Sequence, residues 1–344
     1  MTLPPLSFAI IGTGMVARYH AEAIAQTPGA TLTAVCRSDA TGAQQATKQF
    51  GVPCETSYDA LLDRSDVNVV CICTPSGMHA DQAIRAAQAG KHVLVEKPMA
   101  LTLTDADAMI RACRDANVQL GVVLQRRTDP TFSVVHESIA AHELGEMVLG
   151  SVTVPYVRPQ SYYESAAWRG TWSLDGGGAL MNQGIHLVDL LLWYMGDVAE
   201  VQANFTTRAR AIEVEDSVTA TLRFASGALG SIVATTAAEP GFPHRVEVYG
   251  TAGGVQIEGE TVARWNGGGS HRAATTTPGS ADAGAGGSPT GISAVGHTNI
   301  VMDFVEAIGS GQSPLVPGAE GRRSLALVLA IYEAARTGQA VRPA

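Results

Sequence analysis

Positive charge is scarce in this sequence: 23 lysines and arginines stand against 32 aspartates and glutamates, for a formal net charge of −9. Gripping nucleic acid takes a basic surface to neutralise phosphates, so that partner is disfavoured and none is expected. Long apolar runs are also missing. The best stretch, around Leu187–Met195, is interrupted by Asp189 and falls short of the ~20 residues that span a bilayer, so no membrane partner is expected. Cysteine is sparse, five in number and never spaced CxxC, which fits reduced thiols in a cytoplasmic protein. Cys71 and Cys73 share a strand face, but nothing at ligand spacing supplies a second pair, and no metal is expected. The first residues lack the basic start and apolar stretch of a secretory signal, so Asn204-Phe205-Thr206 is read as a chance glycosylation match.

What remains is ordinary globular composition, 46% apolar and 16% charged over 344 residues, enough for two domains. The first third alternates strand and helix: Ser7–Ile11, Met15–Gln26, Thr31–Cys36, Ala40–Phe50, a short helix with Asp59–Leu62, Val67–Cys73, His79–Ala89, His92–Val95, Thr104–Ala116 and Gln119–Leu124. This rhythm predicts right-handed crossovers and a doubly wound parallel sheet, a Rossmann domain over residues 1–125. Beyond it, runs of strands joined by short turns predict an α+β domain over 126–344 with a large open, mainly antiparallel sheet. One long helix is expected over Ala179–Met195, with two more near Thr298–Ile308 and Ala319–Arg336, the C-terminal helix packing back on the first domain. The Gly-, Ser- and Thr-rich segment 266–291 has no large apolar side chain and reads as a mobile loop that could act as a lid.

Three motifs carry chemistry. Gly12-Thr13-Gly14-Met15-Val16-Ala17 is a GxGxxA turn between a strand and a helix: Gly12 permits the turn, Gly14 admits a pyrophosphate, and Ala17 lets helix and strand pack closely. The helix N-terminus supplies N–H donors to the phosphates. Some twenty residues on, Arg37 and Ser38 stand where an acid selecting NAD is expected, favouring the 2′-phosphate of NADP; the competing reading has Asp39 reaching the ribose and Arg37 stacking on adenine. The second motif, Glu96-Lys97-Pro98, follows the fourth long strand, at the sheet end where doubly wound folds bind ligands. A Lys beside a Glu is commonly a surface pair, but a lysine placed here can polarise a carbonyl or relay a proton. The third is the glycine run Gly176-Gly177-Gly178 leading into Asn182, His186 and Asp189, whose i, i+4, i+7 spacing predicts one polar helix face. The bland alternative is a satisfied core histidine; the glycines, which let backbone approach a ligand, favour a site.

In this order and spacing, GTGMVA, CTPSGMHA at Cys73–Ala80, HVLVEKPMALT at His92–Thr102, WRGTW at Trp168–Trp172, DGGGALMNQGIHLVDLLLW at Asp175–Trp193 and the Pro314–Val341 end resemble the Gfo/Idh/MocA oxidoreductases through nearly the whole chain. The resemblance implies reversible hydride transfer between NAD(P) and a sugar, polyol or cyclitol carbon, with Lys97 and His186 catalytic. It also implies a cofactor-side loop of Thr74, Pro75 and His79, and oligomerisation through the open sheet as a homodimer or homotetramer. Asn182 stands where the family commonly has Asp. Asn182, Asp189, Trp168, Arg169 and Tyr163 are the expected substrate contacts, with Tyr162 nearby. A neutral sugar is the default, since no basic cluster is evident, although Arg126, Arg127, Arg158 and Arg169 could converge in the fold. Two alternatives share the fold: an NAD-dependent glycosidase, and a sugar-sensing protein without turnover, against which the retention of Lys97 and His186 argues.

Overall fold

A computed structural model describes residues 5–267 and 294–344. From residue 268 onward, the loop expected over 266–291 lies outside the described residues. The elements run β1 (Leu6–Ile11), α1 (Met15–Gln26), β2 (Ala30–Cys36), α2 (Ala40–Phe50), β3 (Cys54–Glu55), α3 (Tyr58–Leu62), β4 (Val69–Ile72), α4 (His79–Gln88), β5 (His92–Glu96), α5 (Leu103–Asp115) and β6 (Leu120–Val123). Then come α6 (Pro130–Ala140), β7 (Met147–Pro155), α7 (Gln160–Glu164), α8 (Ile185–Met195), β8 (Val198–Thr206), β9 (Ser217–Phe224), β10 (Leu229–Thr235), β11 (Arg245–Gly250), β12 (Gly254–Glu258), β13 (Thr261–Asn266), α9 (Val295–Ser310) and α10 (Gly318–Thr337). The chain forms two compact units, one of 1–125 with 294–322, the other of 126–293 with 323–344.

The first unit holds a six-stranded parallel sheet in the order β3-β2-β1-β4-β5-β6. The strands are buried on both faces, as their unbroken apolar runs require; Val69, Val70, Cys71 and Ile72 are all 0% exposed. Strand order reverses between β1 and β4, which is the topological switch point of such sheets. Helices α2 and α5 start where the sequence caps them. Asp39 accepts from Gly42 N at α2, Thr102 from Asp105 N at α5, and α2 ends at Gly51 with φ 71°. Helix α9 also belongs to this unit, and Phe304 packs so tightly on Gly121 of β6 that a Cβ there would lie 2.9 Å from its ring.

The second unit holds a seven-stranded sheet, β13-β12-β11-β7-β10-β9-β8. It is antiparallel except at one junction, where β7 and β10 run parallel with Leu149 opposite Leu229. Its strands alternate cleanly, as in β9, where Val218, Ala220, Leu222 and Phe224 point to the core. Helix α8 covers β7 at Gly150, where a Cβ would meet Met195 and Leu191. The long helix expected over Ala179–Met195 is in fact two pieces: a π-helical stretch, Ala179–Gly184, and then α8. All five cysteines are free thiols. Burial pushes Cys36 up to about 12.

Candidate active site

The two units carry separate sets of candidate residues. In the first, the turn after β1 leaves the start of α1 open. Gly12 has φ 88°, and a Cβ on it would lie 2.6 Å from the Cys73 carbonyl oxygen, so glycine is required both by conformation and by the close approach to the end of β4. A Cβ on Gly14, by contrast, would meet nothing within 4 Å. Gly14 is the N-cap of α1, which has no side-chain cap and no acidic residue in its first turn. Open space in front of uncapped N–H donors is what a dinucleotide pyrophosphate needs, so Gly12, Thr13, Gly14, Met15 and Val16 fit that group. Ala17 is fully buried, as close helix–strand packing demands.

At the end of β2, the Arg37 Nε donates to Asp39 Oδ2 at 2.5 Å and its Nη1 reaches Thr13 Oγ1 at 3.3 Å. Asp39 is thereby tied both to Arg37 and to the Gly42 N–H, and its carboxyl is held below the usual range first by that backbone bond, then by Arg37. Ser38 is exposed beside them.

Thr74 and Pro75 follow β4, with the Thr74 hydroxyl donating to Gln82 Oε1 at 2.6 Å. His79 turns out to be a strut. It is 1% exposed, with Nδ1 2.9 Å from the Pro98 carbonyl oxygen and Nε2 2.9 Å from that of Thr74. Both partners are acceptors, and burial pushes the ring below its ordinary pKa, so the neutral imidazole donates to only one at a time. It holds the Thr74–Pro75 loop against the Lys97–Pro98 loop.

Glu96 is also internal. His20 Nε2 lies 2.9 Å and His297 Nε2 3.5 Å from its Oε1, and its Oε2 faces the Lys97 N–H at 3.3 Å. Burial alone would raise this carboxyl, but hydrogen bonds from the two imidazoles more than offset it and hold it well below the usual range. Among the described residues this is the one group of three with metal-ligand atoms close together. A metal-bound imidazole normally donates its second N–H to an acceptor, whereas the Nδ1 atoms of both His20 and His297 are buried with none. The group therefore works as a hydrogen-bonded carboxylate that fixes the backbone of Lys97, whose side chain remains half-exposed. His20 and His297 carried no motif signal, because the fold alone brings them to Glu96.

In the second unit, the glycine run serves the protein's own packing. A Cβ on Gly177 would collide with the Tyr332 hydroxyl, and one on Gly178 with the Glu215 carbonyl oxygen. The close backbone approach expected for a ligand is made instead by Glu215, 0% exposed, which accepts from Gly178 N and Leu180 N at 2.8 Å each and from the Tyr332 hydroxyl. Burial raises its carboxyl, against those hydrogen bonds. The π-helical stretch also changes the phase of the polar stripe. Asn182 and His186 stay partly exposed between buried neighbours, whereas Asp189 is 1% exposed. Asp189 is not a substrate contact: it takes a bidentate pair of bonds from Arg127 at 2.7 and 2.8 Å and one from Ser324 Oγ at 2.8 Å. Asn182 donates from Nδ2 to Asp175 Oδ1 at 2.6 Å, and Asp175, 2% exposed, is anchored in turn by Gly170 N at 2.9 Å.

Sequence comparison matches residues 6–124 to the oxidoreductase family with an NAD-binding Rossmann fold, and residues 132–256 to the GFO/IDH/MocA C-terminal domain. The chain belongs to the Gfo/Idh/MocA oxidoreductases. It is 32% identical to a 1,5-anhydro-D-fructose reductase from Ensifer adhaerens, with 97% of each chain covered. The WlbA dehydrogenase from Bordetella pertussis, solved with NADH and UDP-GlcNAcA, is 34% identical, with 98% of each chain covered and a TM-score of 0.88. Levoglucosan dehydrogenase, solved with NADH and levoglucosan, is 25% identical over 99% of each chain, with a TM-score of 0.85.

In this Gfo/Idh/MocA chain, the carboxylate missing at Asn182 is thus found one hydrogen bond away, at Asp175. Tyr163, expected at the substrate, is 5% exposed and spends its hydroxyl on Thr236 Oγ1 at 2.9 Å, which makes it a packing residue. Trp168 and Arg169 are partly exposed, with the Arg169 guanidinium 4.5 Å from the Trp168 ring centre. A further histidine, His244, has no motif around it. It is fully buried, with Arg126 Nη1 on its Nε2 and the Tyr156 hydroxyl on its Nδ1, both at 3.0 Å. Burial and then the Arg126 charge drive it well below its ordinary pKa, and His186 is near enough to add to that. No helix among the described residues is long and apolar enough to cross a membrane.

Proposed function

We propose that this oxidoreductase transfers a hydride reversibly between a nicotinamide dinucleotide and a secondary alcohol or ketone carbon of a sugar, polyol or cyclitol. The observation that carries the reading is the occurrence, within one family chain, of an uncapped Gly14 turn with a part-exposed Lys97 and a part-exposed His186, each flanked in sequence by buried residues. When bound, the dinucleotide supplies the hydride acceptor. His186 takes the hydroxyl proton; an imidazole with an unperturbed pKa of about 6.5 suits that exchange. Lys97 orients the oxygen and stabilises the negative charge that develops on it. Asn182, held by Asp175, presents its amide to a neighbouring hydroxyl.

For the cofactor we propose NAD ahead of the NADP suggested by Arg37. The Arg37 charge is already matched by Asp39, and a 2′-phosphate beside that carboxylate meets repulsion. The relatives solved with NADH support this preference. Titrating the purified chain with each cofactor, then following 340 nm absorbance with a sugar and polyol panel, tests both statements. Lys97→Ala and His186→Ala should each lower kcat by roughly 10²–10⁴-fold with cofactor affinity unchanged. Full turnover in either variant sinks the assignment. Cofactor that copurifies while a glycoside is cleaved without net NADH would instead favour the glycosidase reading.

A further inference from the structure

Resting on the reading above of a sugar oxidoreductase, we infer that the site beside His186 recognises an oxyanion, a carboxylate or phosphate carried by the substrate, through Arg158 and Arg169. The inference starts from charge accounting in the second unit. Of the four arginines that the sequence offered, two are neutralised inside the protein: Arg126 by Glu260 at 2.7 Å and Arg127 by Asp189 at 2.7 Å. The other two have no acidic partner among the described residues. Arg158 is only 6% exposed, yet among the described residues the one hydrogen bond its side chain makes goes to the Val157 carbonyl oxygen at 2.7 Å. Arg169 donates from Nη1 to the Tyr162 hydroxyl at 2.6 Å. The Nε atoms of both are buried without an acceptor among the described residues.

A buried, unpaired cation is costly, and a guanidinium carries five N–H donors in a rigid fork that matches carboxylate and phosphate oxygens. Aromatic faces hold both forks in place. Arg158 lies 5.7 Å from the Tyr156 ring centre and 5.6 Å from that of Tyr162, and Arg169 lies 4.3 Å from the Tyr162 ring centre and 4.5 Å from that of Trp168. Cation–π contact offsets part of the desolvation while leaving the in-plane N–H groups for a ligand. Arg210, which also has no acidic partner among the described residues, donates from Nε to the Arg158 backbone carbonyl oxygen at 2.6 Å and so ties down the chain at Arg158. The link to the proposed chemistry is Gln183. It follows Asn182 directly, reaches the Tyr162 hydroxyl with Nε2 at 3.4 Å, and leaves a buried Oε1 without a donor. The neutral sugar expected from the sequence is therefore replaced by one bearing a negative group.

Calorimetry on the full chain saturated with NAD tests this, using glucose, glucuronate and glucose 6-phosphate as probes. The expected result is that at least one anionic sugar binds roughly tenfold or more tightly than glucose. Tight glucuronate identifies a carboxylate as the source of the charge; tight glucose 6-phosphate identifies a phosphate. Arg169→Lys, at the more exposed position, should erase most of that preference and leave NAD affinity unchanged, and Arg158→Gln should do the same if it folds. Equal affinity for all three sugars, or a preference that survives Arg169→Lys, overturns the inference. The two readings fail separately: tight, Arg-dependent anion binding with no 340 nm change under any substrate would remove the hydride-transfer reading and leave the oxyanion site standing.

Discussion

Single residues decide how charge is handled in this protein. Asn182 is the clearest case. Its amide donates to Asp175 Oδ1 at 2.6 Å, so Asn182→Asp would set two carboxylates in contact. Like charges at that distance raise the pKa of one of them, so the variant should take up a proton near neutral pH that the wild type does not. A pH–rate profile should then show the acid limb displaced upward, with Tm lowered; an unchanged profile would mean that Asn182 and Asp175 do not act together. Asp189 shows the opposite outcome. It was legible as a polar residue on an apolar helix, but its partner Arg127 lies 62 positions away in sequence. Breaking such a buried pair leaves an uncompensated charge, so Arg127→Met is expected to cost about 3–5 kcal/mol in urea unfolding. Loss of kcat without loss of stability would contradict that structural role.

At the scale of elements, glycine marks the places where backbones touch. Gly12 and Gly178 illustrate two different needs. Gly12→Ala faces both a positive φ and the Cys73 carbonyl oxygen, and is expected to abolish NAD binding by distorting the β1–α1 turn, read as loss of cofactor titration. Gly178→Ala would drive a Cβ into the Glu215 carbonyl oxygen and should lower Tm by several degrees, with cofactor binding retained in whatever fraction folds. The parallel sheet was legible because buried strands read as unbroken apolar runs, and α2 and α5 because their caps are local. The π-helical start of the Ala179–Gly184 stretch was not. A π turn leaves no composition signal, and a regular i, i+4, i+7 count carries straight through it. Strand β13 was also missed, since its exposed polar face looks like loop.

For the whole molecule, several imidazoles are buried and held neutral. Desolvation is the largest cause for each of His20, His79 and His244, and each sits below its ordinary 6.5. The unfolded chain recovers the ordinary value, so it binds more protons than the native state as pH falls through 6.5. Stability is therefore full above that pH and declines below it. Glu96 adds a second loss at lower pH: held well below its usual range, it contributes above the unfolded carboxylate value of about 4.3 and gives that up as pH falls further. Tm measured from pH 8 to pH 4.5 should be level down to about 6.5 and then fall. A Tm that rose on acidification would show that these rings are protonated in the native state.

The sequence by itself determined the Rossmann topology, the GxGxxA turn between β1 and α1 and the placement of Lys97 just past a strand end, whereas it read His186 as the middle of one long helix. Each of these rests on local rules: hydrophobic period, caps, and glycine at a turn. Only the tertiary structure decided which polar side chains are consumed by one another. It matched Arg126 with Glu260 and Arg127 with Asp189, gave Glu96 its two histidines, turned the triple glycine toward Glu215 and Tyr332, and left Arg158 and Arg169 without an acid among the described residues. Charge pairing in a folded protein depends on contacts between residues far apart in the chain, and a linear pattern holds no record of those distances.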